Sequence, residues 1–343
     1  MRRAAWIAAM AFLLASCASS PARVTSTPTG EPIAIEPPLG LPPVPIPSDN
    51  PPTRETVALG KKLFFSPLLS ADASISCATC HDPAKAFTDG KRVSTGIGGK
   101  SGKRNAPTVL NAAYNKSQFW DGRAASLEEQ AAGPMFSPEE MGHSMKGVEA
   151  KLSADPEIRA MFEAAFGPGP VTLDGVTKAL ASYQRTLLSG NSPFDRYYFG
   201  GDPAALSDSA RRGFEVFRDP KRGNCATCHV VEKKFALFTD HKFHNLGAGL
   251  DPDGAIPDPG RIAHTLRDGD QGAFRTPGLR NVARTAPYMH DGSLKTLKEV
   301  VDFYIGGGSS NQFLDKEIRP LRLTRQERDD LIAFLESLTG DMP

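Results

Sequence analysis

Cys77-Ala78-Thr79-Cys80-His81 and Cys225-Ala226-Thr227-Cys228-His229 are one pentapeptide written twice, and they use four of the five cysteines in a chain of 343 residues. Two thiols at this spacing can add across the two vinyl groups of a porphyrin, and the histidine that follows is then placed to bind the iron from below. C-x-x-C-H is the attachment pattern of a c-type haem. A structural zinc is the alternative for two C-x-x-C pairs, but such pairs usually lie ~15–20 residues apart, and zinc leaves both histidines without a task. A redox dithiol of the thioredoxin kind needs a βαβ setting, which this sequence lacks. Two covalently bound haem c groups are therefore expected, on Cys77/Cys80 with His81 and on Cys225/Cys228 with His229 as proximal ligands.

Loops that carry such groups need helices to hold them, and the surroundings of the two sites repeat. Gly60-Lys61-Lys62-Leu63-Phe64 precedes the first site and Gly213-Phe214-Glu215-Val216-Phe217 the second, each with the apolar spacing of a short helix. Downstream, Val176–Leu187 is answered by Leu331–Leu338. Thr324 with Glu327 reads as a capping box for the last helix, and Gly340 as its C-terminal stop. Helix, haem loop, irregular wrapping and closing helix make the plan of a cytochrome c domain. The expected fold is mainly α, as two tandem cytochrome c-like domains over 53–195 and 196–343, the break falling in the Gly-, Pro- and Asp-containing stretch around Asn191–Pro203.

The N-terminus reads as an export signal. Arg2 and Arg3 precede an apolar run from Ala4 to Leu14, too short for a membrane span of ~20 residues. Leu14-Ala15-Ser16-Cys17 resembles the bacterial lipobox, which implies cleavage after residue 16 and a lipid on Cys17. An ordinary signal peptide cut near Ala18 is the alternative. Ala18 rather than an acid after the cysteine points to outer-membrane sorting, on the periplasmic side. Residues 17–52, crowded with Pro, Ser and Thr, read as an extended tether; Ile33, Ile35 and Ile46 would let part of it pack. Lys plus Arg number 40 and Asp plus Glu 39, so no basic face for nucleic acid is indicated.

Between and after the haem sites lie Arg104–Asn111, Gln118-Phe119-Trp120-Asp121-Gly122-Arg123, Leu127–Gln130, Gly133-Pro134 and Glu139-Glu140-Met141, then Phe274–Asn281 and Thr285–Gly292. In this order and spacing they resemble the bacterial di-haem cytochrome c peroxidase / MauG family over nearly all of 53–340. The resemblance implies a peroxidatic N-terminal haem on His81, with Gln130, Pro134 and Glu140 on its open face. Glu140 would serve as the acid–base that moves a proton between the two peroxide oxygens; local sequence alone would make it a solvated acid, and His143 is the fallback base. Trp120, the one tryptophan that remains once the leader is removed, would relay electrons between the haems.

Many relatives place a histidine in the loop after the first haem, but this chain has none between Asp82 and Gly142. The first iron is thus expected to be open at rest, with no reductive activation. By the family's count from Thr285, the second iron's far-side ligand falls on Tyr304, where peroxidases generally carry methionine and MauG-like members tyrosine; Met289 is the rival ligand. A phenolate favours higher oxidation states of iron. The family's calcium ion would find Asn105, Thr285 and Pro287, neutral oxygen donors of the kind calcium accepts. The expected activity is oxidation driven by hydrogen peroxide, spent on a partner protein in the MauG manner. A peroxidase refilled by a small cytochrome or cupredoxin is the alternative, and a di-haem electron carrier or redox sensor the non-enzymatic one.

Overall fold

The computed structural model describes residues 25–343; the leader and Cys17 lie outside them. The helices, in chain order, are α1 (Arg54–Phe65), α2 (Cys77–Cys80), α3 (Leu127–Phe136), α4 (Met145–Ala154), α5 (Pro156–Phe166), α6 (Leu173–Arg185), α7 (Pro193–Tyr198), α8 (Asp208–Arg218), α9 (Ile262–Thr265), α10 (Leu297–Ile305) and α11 (Arg325–Glu336). Phe243–His244 (β1) and Phe274–Arg275 (β2) form a short antiparallel pair. The architecture is the expected one, mainly helical with two tandem cytochrome c-like units.

Each unit closes on one helix crossing, and each crossing turns on a glycine. A Cβ at Gly60 of α1 would stand 1.9 Å from the Ala179 carbonyl oxygen of α6; at Gly213 of α8 it would stand 1.9 Å from the Asp330 carbonyl oxygen of α11. Only glycine lets the backbones approach so closely. Aromatic rings fill the space beside each crossing. Phe64 meets Tyr183 edge-on in the first unit, and Phe194, Phe214, Phe217, Phe238 and Phe334 cluster in the second. Phe194 is fully buried in that second core, so a break after residue 195 would cut α7, and the packing changes hands just ahead of it. The capping box of Thr324 and Glu327 is present. Helix α11 ends at Glu336 on Ser337, however, and Gly340 is no helix stop; its N–H donates instead to Asn281 Oδ1 at 3.0 Å.

The Pro-rich segment, expected as a tether, is over residues 25–52 a strap bound to both units. Ser26 donates its N–H to Asp174 Oδ2 at 2.8 Å and accepts from Lys178 Nζ on its carbonyl at 2.9 Å. Asn50 is fully buried and donates to Glu128 Oε1 and the Lys178 carbonyl. Leu41 packs with Tyr114 and Leu188, and the Tyr114 hydroxyl donates to the Pro42 carbonyl at 2.8 Å. Midway, Gly40 takes φ +88°, and a Cβ there would stand 2.0 Å from Asp195 Oδ1. Its carbonyl accepts from Arg280 Nη2 at 2.6 Å and from the Ala236 N–H at 3.0 Å.

Candidate haem centres

Helix α2 is the first C-x-x-C stretch itself. Ser76 and Thr79 form its capping box, so the turn carrying Cys77 and Cys80 is stiffened from within. The chain then bends back through Ala86 and Phe87, both left-handed, and brings the Phe87 carbonyl 3.2 Å from His81 Nδ1. In the second unit Cys225–Thr227 form one 3-10 turn, Phe238 is left-handed, and its carbonyl lies 2.8 Å from His229 Nδ1. A carbonyl can only accept, so each imidazole carries its proton on Nδ1 and keeps Nε2 as a free lone pair. Burial pulls both imidazoles below their ordinary pKa, which keeps that lone pair available at neutral pH.

Burial likewise pushes the Cys77 and Cys225 thiols up to about 12. An uncharged sulfur is what these positions favour, and a thioether has one. Around Cys225, Cys228 and His229 opens a mostly apolar cleft of about 250 Å³, with Tyr304 and Met289 both on its wall. The donor set and the lining fit a covalently attached haem.

Beyond the haem loops the repeat continues at one constant offset. Pro107, Asn111, Phe119, Trp120, Gly122 and Leu127 correspond to Pro277, Asn281, Met289, His290, Gly292 and Leu297. Asn111 and Asn281 are both left-handed and each starts a 3-10 turn; the bridge Gln118–Ala124 is repeated as Tyr288–Leu294. The two units face each other through equivalent bonds: Asn105 N–H donates to the His290 carbonyl at 2.7 Å, and Arg275 N–H to the Trp120 carbonyl at 2.8 Å. Trp120 sits in this interface, on the wall of the second cleft, with Nε1 donating to the Asn105 carbonyl at 2.9 Å. Its neighbour Asp121 is gripped by Arg104, Arg123 and His264, so the indole is held at both ends.

The same offset pairs Pro134 of α3 with Tyr304 of α10. Pro134 lies inside its helix, where it has no N–H to give the Gln130 carbonyl, and Gln130, one turn earlier, shares its face. The turn after α3 folds back, Met141 N–H reaching the Pro134 carbonyl at 3.2 Å and Glu140 N–H the Ser137 carbonyl at 3.1 Å. Glu140 is half-buried, and burial raises its carboxyl above the ordinary value against the pull of Arg123 and Ser137. Its charge is felt at Cys80, which puts it on the first haem's side of the turn. The loop after the first haem is tied to this turn, Ile97 N–H to the Glu140 carbonyl at 2.7 Å and Lys100 Nζ to the Pro138 carbonyl at 2.9 Å. His143 is turned to the start of α4, its Nδ1 accepting from Ser144 N–H at 3.0 Å.

Asn105, Thr285 and Pro287 also line the second cleft. Asn105 uses its side-chain Nδ2 on the Lys91 carbonyl at 2.9 Å, leaving Oδ1 as the donor it could offer a cation. The sequence reading passed over Asp89, Ser94 and His244, which crowd the attachment sulfurs; Phe-Thr-Asp, repeated after each haem motif as Phe87-Thr88-Asp89 and Phe238-Thr239-Asp240, was the signal.

The model of the family described as di-haem cytochrome c peroxidase matches residues 54–203, and that of cytochrome c matches 210–339. The chain is 43% identical over 299 residues to the methylamine utilization protein MauG of Methylorubrum extorquens, covering 87% of this chain and 82% of that protein. It is 40% identical over 340 residues to the cytochrome-c peroxidase IdrP1 of Denitromonas iodatirespirans, covering 90% and 88%. Among solved structures, a MauG-like protein associated with microbial copper homeostasis superposes with a TM-score of 0.80 at 34% identity, over 88% of this chain and 94% of that one. With two haem motifs held alike in two matched units, this chain belongs to the di-haem cytochrome c peroxidase family and is a peroxidase-type oxidoreductase with two c-type haems.

Proposed function

We propose that hydrogen peroxide is consumed at the first haem, and that the oxidising equivalents pass by way of Trp120 to the second and are spent on a partner protein. The observation that carries this reading is the register of Pro134 with Tyr304. Where the second unit has a phenol on the haem cleft, the first has a side chain with no ligating atom, so Tyr304 would cap the second iron while Pro134 could offer the first no ligand. The haem supplies the iron on which an O–O bond can be broken. Glu140 takes the proton from one peroxide oxygen and gives it to the other, Gln130 orients the bound oxidant by hydrogen bonding, and Pro134 keeps the face clear. Trp120, bonded to both units, is the side chain through which electrons cross.

We read Tyr304 as the second iron's ligand, the residue MauG-like members carry there, and on that ground propose the MauG-like branch. In Tyr304→Phe the low-spin signal of the resting second haem should be lost or replaced and its absorption shifted, with the first haem's high-spin signal unchanged. EPR spectra identical to wild type would end this assignment and leave Met289. The near-equal identity to a cytochrome-c peroxidase favours a second reading, in which a small cytochrome or cupredoxin refills the enzyme; steady-state turnover with such donors distinguishes them. A carrier or sensor would show both irons six-coordinate.

Calcium is proposed at Asn105 with the Thr285 and Pro287 carbonyls. Calorimetry on chelator-stripped protein should show one site, lost in Asn105→Ala; no heat in wild type removes it. The lipid anchor at Cys17 is proposed from sequence, facing the periplasm.

A further inference from the structure

His244, on β1, is held between two carboxylates. Its Nδ1 lies 2.6 Å from Asp315 Oδ2 and its Nε2 3.0 Å from Asp240 Oδ2. An ionised carboxylate only accepts, so an imidazole bonded to one at each nitrogen carries both protons. The group is a histidinium inside a cluster of net charge minus one. The side chains of His244, Asp240 and Asp315 are 15%, 8% and 23% exposed, so solvent and salt screen them weakly. The third neighbour is Cys228, whose sulfur lies within 4.8 Å of the ligating atoms of His244 and Asp240. The cluster therefore touches the atom that joins the second haem to the chain.

The charged and titratable surroundings come from every neighbouring segment. Asp240 also accepts from the Lys242 N–H and is approached by the Thr276 hydroxyl next to β2; Asp315 accepts from the Glu317 N–H, with the Lys316 ammonium nearby. The pKa of His244 is raised to about 10, first by the Cys228 sulfur and then by Asp315 and Asp240, against burial. A thioether cannot hold the charge of a thiolate, so in the haem-bearing protein the first of these causes lapses and the two carboxylates alone hold the proton.

The first unit lacks this device. Asp89 stands where Asp240 stands, but four residues on it has Val93 in place of His244, and among the described residues Asp89 Oδ2 has no hydrogen-bond partner.

We propose that His244, clamped by Asp240 and Asp315 against Cys228, is the proton partner of the second haem's redox change. When one electron leaves that haem, for the first centre in turnover or for a mediator in a titration, one proton leaves the His244 imidazolium for solvent, and both return on reduction. The charge of the site is then the same in both states. The positive charge gained by the iron weakens the imidazolium's hold on its proton, and the neutral ring keeps one of its two bonds, through the nitrogen that retains its proton. This rests on the second C-x-x-C-H carrying a haem, not on Tyr304 or on peroxide turnover.

Spectroelectrochemical titration of the holoprotein at several pH values tests it. The second haem's midpoint potential should fall as pH rises, and that dependence should flatten in His244→Gln. Haem propionates contribute equally to both proteins, so the difference is the readout. Equal slopes in wild type and variant overturn the proposal. Should His244→Gln fail to load haem, Asp315→Asn, which removes the shorter bond, is expected to move the sloping region to lower pH; an unmoved profile overturns it. Protons released per electron withdrawn from wild type, counted with an indicator dye in weak buffer, must not be zero. A pH-independent potential would leave the peroxidase reading standing, and loss of peroxide turnover would leave this one standing.

Discussion

Glu140→Gln is expected to lower kcat/KM for hydrogen peroxide by a factor of ~10²–10⁴, the range for removal of a positioned acid–base, with both haems still attached. The amide keeps the size of the carboxyl and can still hydrogen-bond, but it cannot take a proton from one oxygen and pass it to the other. The fold around it should hold, because the bond that ties the first haem's loop to this turn goes from Ile97 N–H to the Glu140 backbone carbonyl, not to its side chain. Burial raises the carboxyl, and Arg123 and Ser137 hold it back from rising further. A base must be ionised to accept, so the wild-type rate should fall as pH drops through this raised value, on a limb lying above the ordinary glutamate range. The variant should lose that limb. Stopped-flow measurement of peroxide reaction across pH checks both effects; a variant that keeps the wild-type rate and the wild-type acid limb would remove Glu140 from the chemistry and return it to the solvated acid that its local sequence suggests.

Much of this arrangement was legible because it is written locally. The haem motifs, the apolar spacing of each crossing helix and the Thr324–Glu327 cap are each written within a short stretch of chain, where spacing alone reports geometry. What escaped is held by partners far apart. Composition reads residues 25–52 as a free tether, yet Ser26 is fixed by Asp174 and Lys178, and Gly40 by Arg280, bonds that leave no trace in a Pro-rich window. His244 needs Asp315, 71 positions away, before its doubled protonation can be seen. The end of α11 was misread for a related reason. Gly340 looks like a helix stop, but its N–H is engaged by Asn281, 59 positions earlier in the same unit, and Ser337 had already ended the helix. The Pro134–Tyr304 register lay in the sequence but became decisive only when the matched bridges and the reciprocal interface bonds established that both repeats fold alike.

Arg280→Ala is expected to destabilise the protein by about 3–5 kcal/mol, the cost of stranding one member of a buried ion pair. Arg280 and Asp195 are 5% and 0% exposed and meet through two bonds, Nη1 to Oδ2 at 2.7 Å and Nη2 to Oδ1 at 2.9 Å. The remaining donors of the guanidinium go to two carbonyls, Nε to Ala236 and Nη2 to Gly40, and the ring of Phe238 lies beneath it at 5.7 Å. Removing the cation therefore leaves Asp195 charged in the core, although the Ser192 N–H and hydroxyl still reach it; it frees the Ala236 carbonyl and leaves the Gly40 carbonyl only its bond from the Ala236 N–H. For a unit of this size the melting temperature should drop by roughly 10 °C, followed by circular dichroism. The second arm of the test is the double variant Arg280→Met with Asp195→Leu. Apolar replacement of a buried pair commonly restores stability, but here the Ala236 carbonyl stays without a donor, at about 1–3 kcal/mol for an unsatisfied buried group, while the Gly40 carbonyl keeps only the Ala236 N–H, so recovery should be partial. A functional trace should accompany the loss. Arg280 holds Ala236, Ala236 holds Gly40 of the strap, and two residues on Phe238 supplies the carbonyl that fixes His229 Nδ1. Loosening that segment frees the imidazole to turn, and the single variant's second-haem EPR signal should broaden while the first haem's stays sharp. A single variant that melts with the wild type would show that the strap and the haem loop are held independently of this ion pair.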